Sequence, residues 1–489
     1  MHSSLYDLPL NDDAQAEALS ASGRVAAVLA LQQAASLSEG PPSAELRIER
    51  INRVINLLLN NQQRLCEALS RDFTWRSHDQ SLLADVLLPV QGLKYARDHV
   101  RRWMRPERRR AELGSGWLGA RAAIHFQPLG TIGIISPWNF PIAIALGPLA
   151  EALAAGNRAI ILFSDQSPET AGLLIKLLAE QFEETEVAAF IGGADLGAAF
   201  SALPLDHLVF TGSPRVGRLV MRAAAQHLTP LTLELGGKSP TIIGRGADLE
   251  NAARRIWGGK GVSAGQACIA PDYVLVHEDD RERLLSCMQV ELRRMFPTLL
   301  NNPDYTAMAT PGQYQRMQAC VRDAREQGVR VIEVNPANED LSASRKIAPT
   351  LLVDPPDTTL AMQEEVFGPL LPIRGYRHIN EALDYINAHA RPLALYYFGD
   401  DRCEAKHVLE RTHSGGACIN EVMQHLFQTD LPFGGCGHSG FGRYRGGYGF
   451  KAFSLERSVF MPPRWDVMGV LRPPYGRLFR RVIGALLKP

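Results

Sequence analysis

Gly130-Thr131-Ile132-Gly133-Ile134-Ile135 is an unbroken apolar run, and its reading decides the fold. Small and aliphatic side chains on both faces fit a strand covered on both sides. Pro137-Trp138-Asn139-Phe140-Pro141 ends the run, and 142–155 has a helical pattern. Ala159-Ile160-Ile161-Leu162 starts the cycle again, with a helical tract at 168–182 and further strands at 187–191 and 207–210. Strands separated by single helices predict parallel pairing with right-handed crossovers. This is a Rossmann-like, dinucleotide-binding layout.

Upstream, 25–36 and 43–73 read as helices split by Gly40-Pro41-Pro42. Leu46, Ile51, Val54, Ile55, Leu58, Leu59, Leu65 and Leu69 give the second a buried stripe, and a further helix is predicted over 81–104. The glycine-broken segment 111–127 suits a protruding hairpin. Downstream a second alternating block has strands at 273–277, 329–334 and 371–375, with helices at 282–295, 311–327 and 379–388. The expected organisation is α/β throughout. It comprises a cofactor-binding domain (1–110 and 127–234), a second α/β domain (235–419), and a small β oligomerisation element with a C-terminal tail (111–126 and 420–489).

Composition narrows the function. With 52 basic and 52 acidic residues, no bulk field favours nucleic acid. Seven scattered cysteines without a C-x-x-C pair form neither a disulfide framework nor a zinc site, so no metal is expected. Residues 1–20 lack the basic and apolar regions of a signal peptide. The longest apolar region, 132–163, is interrupted by prolines and polar residues, which argues against an integral membrane span. A soluble cytoplasmic protein is the expectation. The basic, apolar stretch 477–488 could lie on a membrane surface or pack as an ordinary helix.

Four local patterns carry chemistry. Cys268, in Gly265-Gln266-Ala267-Cys268, has small neighbours, so its thiol is either an approachable nucleophile or a small buried hydrophobe. Asn139, fixed between two prolines, is either an oxyanion donor or a capping side chain. Glu234, alone in the apolar run before Gly236-Gly237-Lys238, is either a general base of raised pKa or the partner of Lys238. Phe210-Thr211-Gly212-Ser213-Pro214 leads from a strand into a helix whose free N–H groups suit phosphate, although its spacing matches neither G-x-G-x-x-G nor a P-loop.

Together with Ala155-Gly156-Asn157, Glu365-Val366-Phe367-Gly368-Pro369 and Leu431-Pro432-Phe433-Gly434-Gly435, these motifs resemble the aldehyde dehydrogenase superfamily over about residues 45–460. Asn420-Glu421, His425 and Arg472-Pro473-Pro474-Tyr475-Gly476 look most like its coniferyl aldehyde branch. The resemblance implies that Cys268 attacks an aldehyde, that Asn139 and the Cys268 N–H hold the oxyanion, and that Glu234 activates water to release the acid. It also implies a cofactor-binding set of Ser136, Trp138, Ser164, Asp165, Phe210, Gly212, Ser213, Gly217, Leu235, Glu365 and Phe367. A homodimer is implied as well. The expected substrate is an aromatic or a medium-to-long aliphatic aldehyde. A CoA-acylating semialdehyde enzyme fits less well, because Glu234 supplies a hydrolytic base.

One departure stands out. Where the family has Lys-Pro-Ser-Glu, this chain has Leu162-Phe163-Ser164-Asp165. The lysine's donors are lost, which predicts weaker cofactor binding and favours NAD over NADP, because a 2′-phosphate would face Asp165. The alternative reading is a protein that keeps the fold, binds cofactor poorly and serves a binding or structural role.

Overall fold

The computed structural model describes residues 12–112, 115–466, 469 and 471–487. The N-terminal 1–11, and with it most of the segment examined for a signal peptide, lies outside the described residues, as does Lys488 of the predicted last helix.

Three sheets organise the described residues. The first is six-stranded, in the spatial order Gly440–Phe441, Leu231–Leu235, His207–Gly212, Thr131–Ser136, Arg158–Ser164, Val187–Gly192. All its pairings are parallel except that of Gly440–Phe441, which runs antiparallel to Leu233 and Glu234. From Thr131–Ser136 the chain builds outward to one side, then returns to add strands on the other. The carboxyl ends of Thr131–Ser136 and His207–Gly212 therefore border the crevice where such sheets receive ligands.

The second sheet has seven strands, from Arg330–Glu333 at one edge to Gly416–Ile419 at the other, with Tyr273–His277 and Pro240–Ile243 near its middle. It is parallel apart from Arg330–Glu333. The third joins Glu107–Arg109, Arg121–Pro128 and Ser454–Met461, all antiparallel. The hairpin thus starts before the predicted 111. The tail 420–489 does not fold as one piece: Gly440–Phe441 extends the first sheet, and Ser454–Met461 completes the third.

Local sequence explains the helices that flank the first sheet. Helix Pro141–Ala155 opens on a proline at its first turn and closes at Gly156, whose φ of 90° suits a residue without Cβ. Most of its residues are buried, so it is apolar nearly all round. The predicted single helix over 43–73 is two, Ala44–Asn60 and Gln62–Asp72, divided at Asn61. Ile51, Val54, Ile55, Leu58, Leu65 and Leu69 are in the core, but Leu46 and Leu59 are exposed. Helix Asp12–Glu39 lays Val25, Val28 and Leu29 on the sheet face that carries Leu162, Leu208 and Phe210. No helix among the described residues is long and apolar enough to cross a membrane.

Candidate active site

Cys268 follows a run of left-handed backbone: Ser263 (φ 49°), Ala264 (φ 50°) and Gly265 (φ 79°). Such angles strain residues with a side chain and persist only where neighbours enforce them. Gln266 does so, accepting from Ala309 N–H and donating to the carbonyls of Ser263 and Ala307. A Cβ on Gly265 would stand 2.3 Å from the Gly368 carbonyl oxygen. Only glycine there lets the turn carrying Glu365 and Phe367 close against the cysteine loop. Tyr396 adds a hydrogen bond from its hydroxyl to Ile269 O, 2.5 Å away.

Asn139 is held from behind. Buried Arg76 donates to the Asn139 carbonyl at 2.5 Å and to Asp85 Oδ2 at 2.6 Å, with Phe73 and Phe140 on its cationic face. Asp85 also accepts from Ala143 N–H, which ties the turn to the first winding of helix Pro141–Ala155. The Asn139 side-chain amide donates 3.1 Å to Gln266 O, beside the cysteine. Asp85→Ala leaves a buried guanidinium unpaired and is expected to destabilise the fold by about 3–5 kcal/mol, read as a lowered urea midpoint.

Glu234, next to last in strand Leu231–Leu235, is 2 % exposed, and neither carboxyl oxygen has a hydrogen-bond partner. Lys238 is not its partner: that ammonium pairs with Asp272 and donates to the carbonyls of Ala361 and Glu364. Burial pushes the Glu234 carboxyl well above its usual range, against the opposing charges of Arg443 and Arg445. Burial, then the charges of Glu365 and Glu234, pushes the half-buried Cys268 thiol up to about 12, while the N–H groups of Cys268 and Ile269 pull it down. At rest, therefore, a thiol stands here, with the carboxyl group of Glu234 on the same cavity wall.

Two cavities meet at this point. The larger, about 670 Å³, is walled by Trp138, Asn139, Gly212, Ser213, Glu365 and Phe367. The smaller, about 290 Å³, is walled mainly by apolar side chains, among them Leu88, Phe140, Val262, Met423, Leu426 and Phe433. Thr211, Glu234 and Cys268 border both.

The larger cavity has the features a nicotinamide dinucleotide requires. The helix Pro214–Ala224 starts on its wall, with the Ser213 hydroxyl accepting from Val216 N–H and the Ser213 carbonyl from Gly217 N–H, and the positive end of a helix favours phosphate. Glu365 offers a half-buried carboxyl, pushed up to about 8 by desolvation and then by Asp272. Trp138 and Phe367 meet edge to face, 5.6 Å between centroids, as an aromatic wall. Thr211 Oγ1 is buried without a partner.

Not all of the predicted cofactor residues reach this surface. The Ser136 hydroxyl is spent on Pro141 O, the Phe210 ring is packed beneath Gly212, and Leu235 lies against Gly217. These four residues back the wall. Ser164 and exposed Asp165 stand away from it, at the end of strand Arg158–Ser164, with Asp165 Oδ2 against Gly193. Leu162, 2 % exposed, is a core side chain that seats the first helix. The sequence reading missed the Arg76–Asp85 support, whose one signal is an acid set in the apolar run Leu82-Leu83-Ala84-Asp85-Val86-Leu87. It also left Thr211, Glu151 and Arg445 without roles.

The pattern of the aldehyde dehydrogenase family matches residues 14–459. A Pseudomonas protein described as coniferyl aldehyde dehydrogenase is 47 % identical, covering 93 % of this chain and 94 % of its own. A Caulobacter vibrioides protein described as a "probable coniferyl aldehyde dehydrogenase" is 50 % identical, covering 94 % and 96 %. Among solved structures, the substrate-bound state of Staphylococcus aureus AldH superposes with a TM-score of 0.89 at 32 % identity, covering 95 % of this chain and 99 % of that one.

Proposed function

The chain belongs to the aldehyde dehydrogenase family, its sequence most like the coniferyl aldehyde branch, and from that premise we propose that it oxidises an aromatic aldehyde of coniferyl type through Cys268, with NAD as cofactor. The observation that carries this reading is the junction of the two cavities at Cys268 and Glu234. One side is polar and open enough for a dinucleotide. The other is an apolar passage suited to a flat aromatic body, and aromatic side chains on its wall (Phe140, Phe427, Phe433) favour a ring over a flexible alkyl chain.

In this mechanism the aldehyde enters by the apolar passage and places its carbonyl carbon at the Cys268 sulfur. Glu234 takes the thiol proton as the carbon–sulfur bond forms, and the Asn139 amide with the Cys268 N–H stabilises the oxygen of the resulting thiohemiacetal. When bound, the nicotinamide ring supplies the two-electron acceptor of the reaction. Ser213, the first-turn N–H groups, Glu365 and Phe367 are the groups that would hold that cofactor. Cys268 then carries the carbon as a thioester. Glu234 first gives the thiol proton up to solvent and then removes a proton from water; hydroxide adds to the thioester carbonyl, and the thiolate leaves as the carboxylic acid is released.

Purified protein is expected to reduce NAD with coniferyl aldehyde. Absence of turnover with an aromatic panel and either cofactor would overturn the reading. NADP should be the poorer cofactor by about 10- to 100-fold in kcat/KM, because the strand that ends at Ser164 offers no cation to an extra phosphate, with Leu162 in place of the family's lysine and the acid Asp165 just beyond. Equal kcat/KM values would remove Asp165 from the argument.

The same reading takes the protein as a homodimer. Strand Ser454–Met461 is at the edge of its sheet and exposes Leu455, Phe460 and Met461. An exposed apolar edge strand is a pairing surface. Sedimentation should give a dimer for the parent chain, and Phe460→Lys should shift it toward monomer.

A further inference from the structure

Arg255 and Glu421 set an ion pair into the wall of the apolar cavity, Arg255 Nη1 donating to Glu421 Oε2. Their side chains are 40 % and 29 % exposed, and a pair so open to water adds little to stability. Its place is nevertheless closely fixed. Asn420, in a left-handed conformation (φ 54°), accepts from Gly399 N–H at 2.8 Å and donates back to Gly399 O at 3.0 Å. Its own N–H donates to Tyr397 O, which ties the neighbouring Glu421 to the end of strand Ala394–Phe398. Glu421 Oε1 accepts from Val422 N–H, and Arg255 Nε donates to Asn251 Oδ1.

These bonds leave capacity on both partners. Each Glu421 oxygen accepts one hydrogen bond and has a second lone pair, and Arg255 Nη2 has no partner among the described residues. A donor and an acceptor thus stand side by side on a wall that is otherwise mainly apolar.

The helix Leu249–Lys260 relates this pair to the nucleophile. Arg255, Gly258 and, just past the helix, Val262 all line the cavity, and Val262 opens the loop that leads to Cys268. A rise of 1.5 Å per residue puts position 255 about 10 Å along the helix axis from position 262. Between them Gly258 is exposed, and a Cβ there would meet nothing within 4 Å. Glycine is a poor helix former, and no neighbour requires it at this position. Its effect is to leave bare backbone, and so width, midway along the passage.

We propose that Arg255 and Glu421 recognise a phenolic hydroxyl, so that the enzyme selects aromatic aldehydes hydroxylated on the ring carbon opposite the aldehyde-bearing chain. The inference rests on the reading of the apolar passage as the route of the aldehyde. The hydroxyl donates to Glu421 and accepts from Arg255 Nη2, the ring lies over Gly258, and the side chain runs on to Cys268. A ring without the hydroxyl takes water from the pair and returns no hydrogen bond.

The test compares 4-hydroxycinnamaldehyde with cinnamaldehyde, which differ only in that hydroxyl, by kcat/KM with NAD. Both values come from one sample, so their ratio is insensitive to loss of folded protein. The parent should favour the hydroxylated aldehyde by about 10- to 100-fold, the worth of a hydrogen bond to a charged group. In Glu421→Leu the ratio should approach one. A parent ratio near one, or an unchanged ratio in Glu421→Leu, overturns the inference. Should the leucine variant not fold, Glu421→Gln decides, with a ratio lowered by about tenfold expected.

Gly258→Leu separates this inference from the reading beneath it. The new side chain has room to form and lies across the passage, so kcat/KM for both aldehydes should fall by about tenfold or more. Titration with NAD at the parent affinity shows that the variant is folded. Unchanged turnover of both aldehydes in that folded variant, or no turnover of either in the parent, sinks the passage as the substrate route. A block by Gly258→Leu, with an unchanged ratio in the Glu421 variants, sinks only the role of the ion pair.

Discussion

Cys268→Ala is expected to lower aldehyde turnover by about ten-thousand-fold or more, with the folded state and cofactor binding retained. Cys268 is the one thiol on the wall shared by both cavities, and no neighbouring group can take over carbon–sulfur bond formation. Removing a sulfur from a half-buried position leaves only a small void, so the urea midpoint should move little. Titration with NAD should give the parent affinity, because the residues proposed to hold the cofactor stand on other segments. A variant that kept more than about one per cent of activity would point to a different nucleophile.

Glu234→Gln should separate the two halves of the reaction. The glutamine fills the same space but takes no proton, so hydrolysis of the thioester should slow by about a hundred- to ten-thousand-fold. If the thiol proton can reach water by another route, one equivalent of cofactor is reduced per site and the reaction then stalls. Intact-mass measurement would show the acyl group retained on Cys268. If neither turnover nor burst appears, Glu234 is also needed to deprotonate the thiol, as its position beside a sulfur with a raised pKa suggests.

The pH dependence has a definite sign. A base whose pKa is raised by burial works only above that raised value, so hydrolysis in the parent should climb with pH across the alkaline side of the ordinary carboxylate range. An acid-side optimum would contradict this assignment.

Much of this site is visible in the chain before it folds, for a physical reason. Strands buried on both faces cannot alternate, so 131–136 and 158–164 declare themselves as continuous apolar runs. A single Glu in a leucine-rich strand and a single Asn between prolines stand out for the same reason. What stays hidden is whatever depends on distant packing. The periodicity of 43–73 runs smoothly through Asn61, and only the packed structure shows the break there. Leu162 looks like a lost cofactor contact in the sequence, yet it serves as the seat of the first helix. Arg76 and Asp85 are separated from Asn139 by more than fifty positions, and Gly446 from Glu151 by nearly three hundred. No local pattern announces such pairs.

The two-residue strand Gly440–Phe441 has a consequence for how the protein is made. It lies on the free side of Leu231–Leu235 and covers the base, and the following turn supplies Arg445 and the Gly446 contact to Glu151. Chains leave the ribosome amino end first, and domains fold as they emerge. The sheet that positions Asn139 and Glu234, and the loop that carries Cys268, are therefore synthesised long before that sheet's last strand exists. A nascent chain would carry the nucleophile without the segment that covers its base.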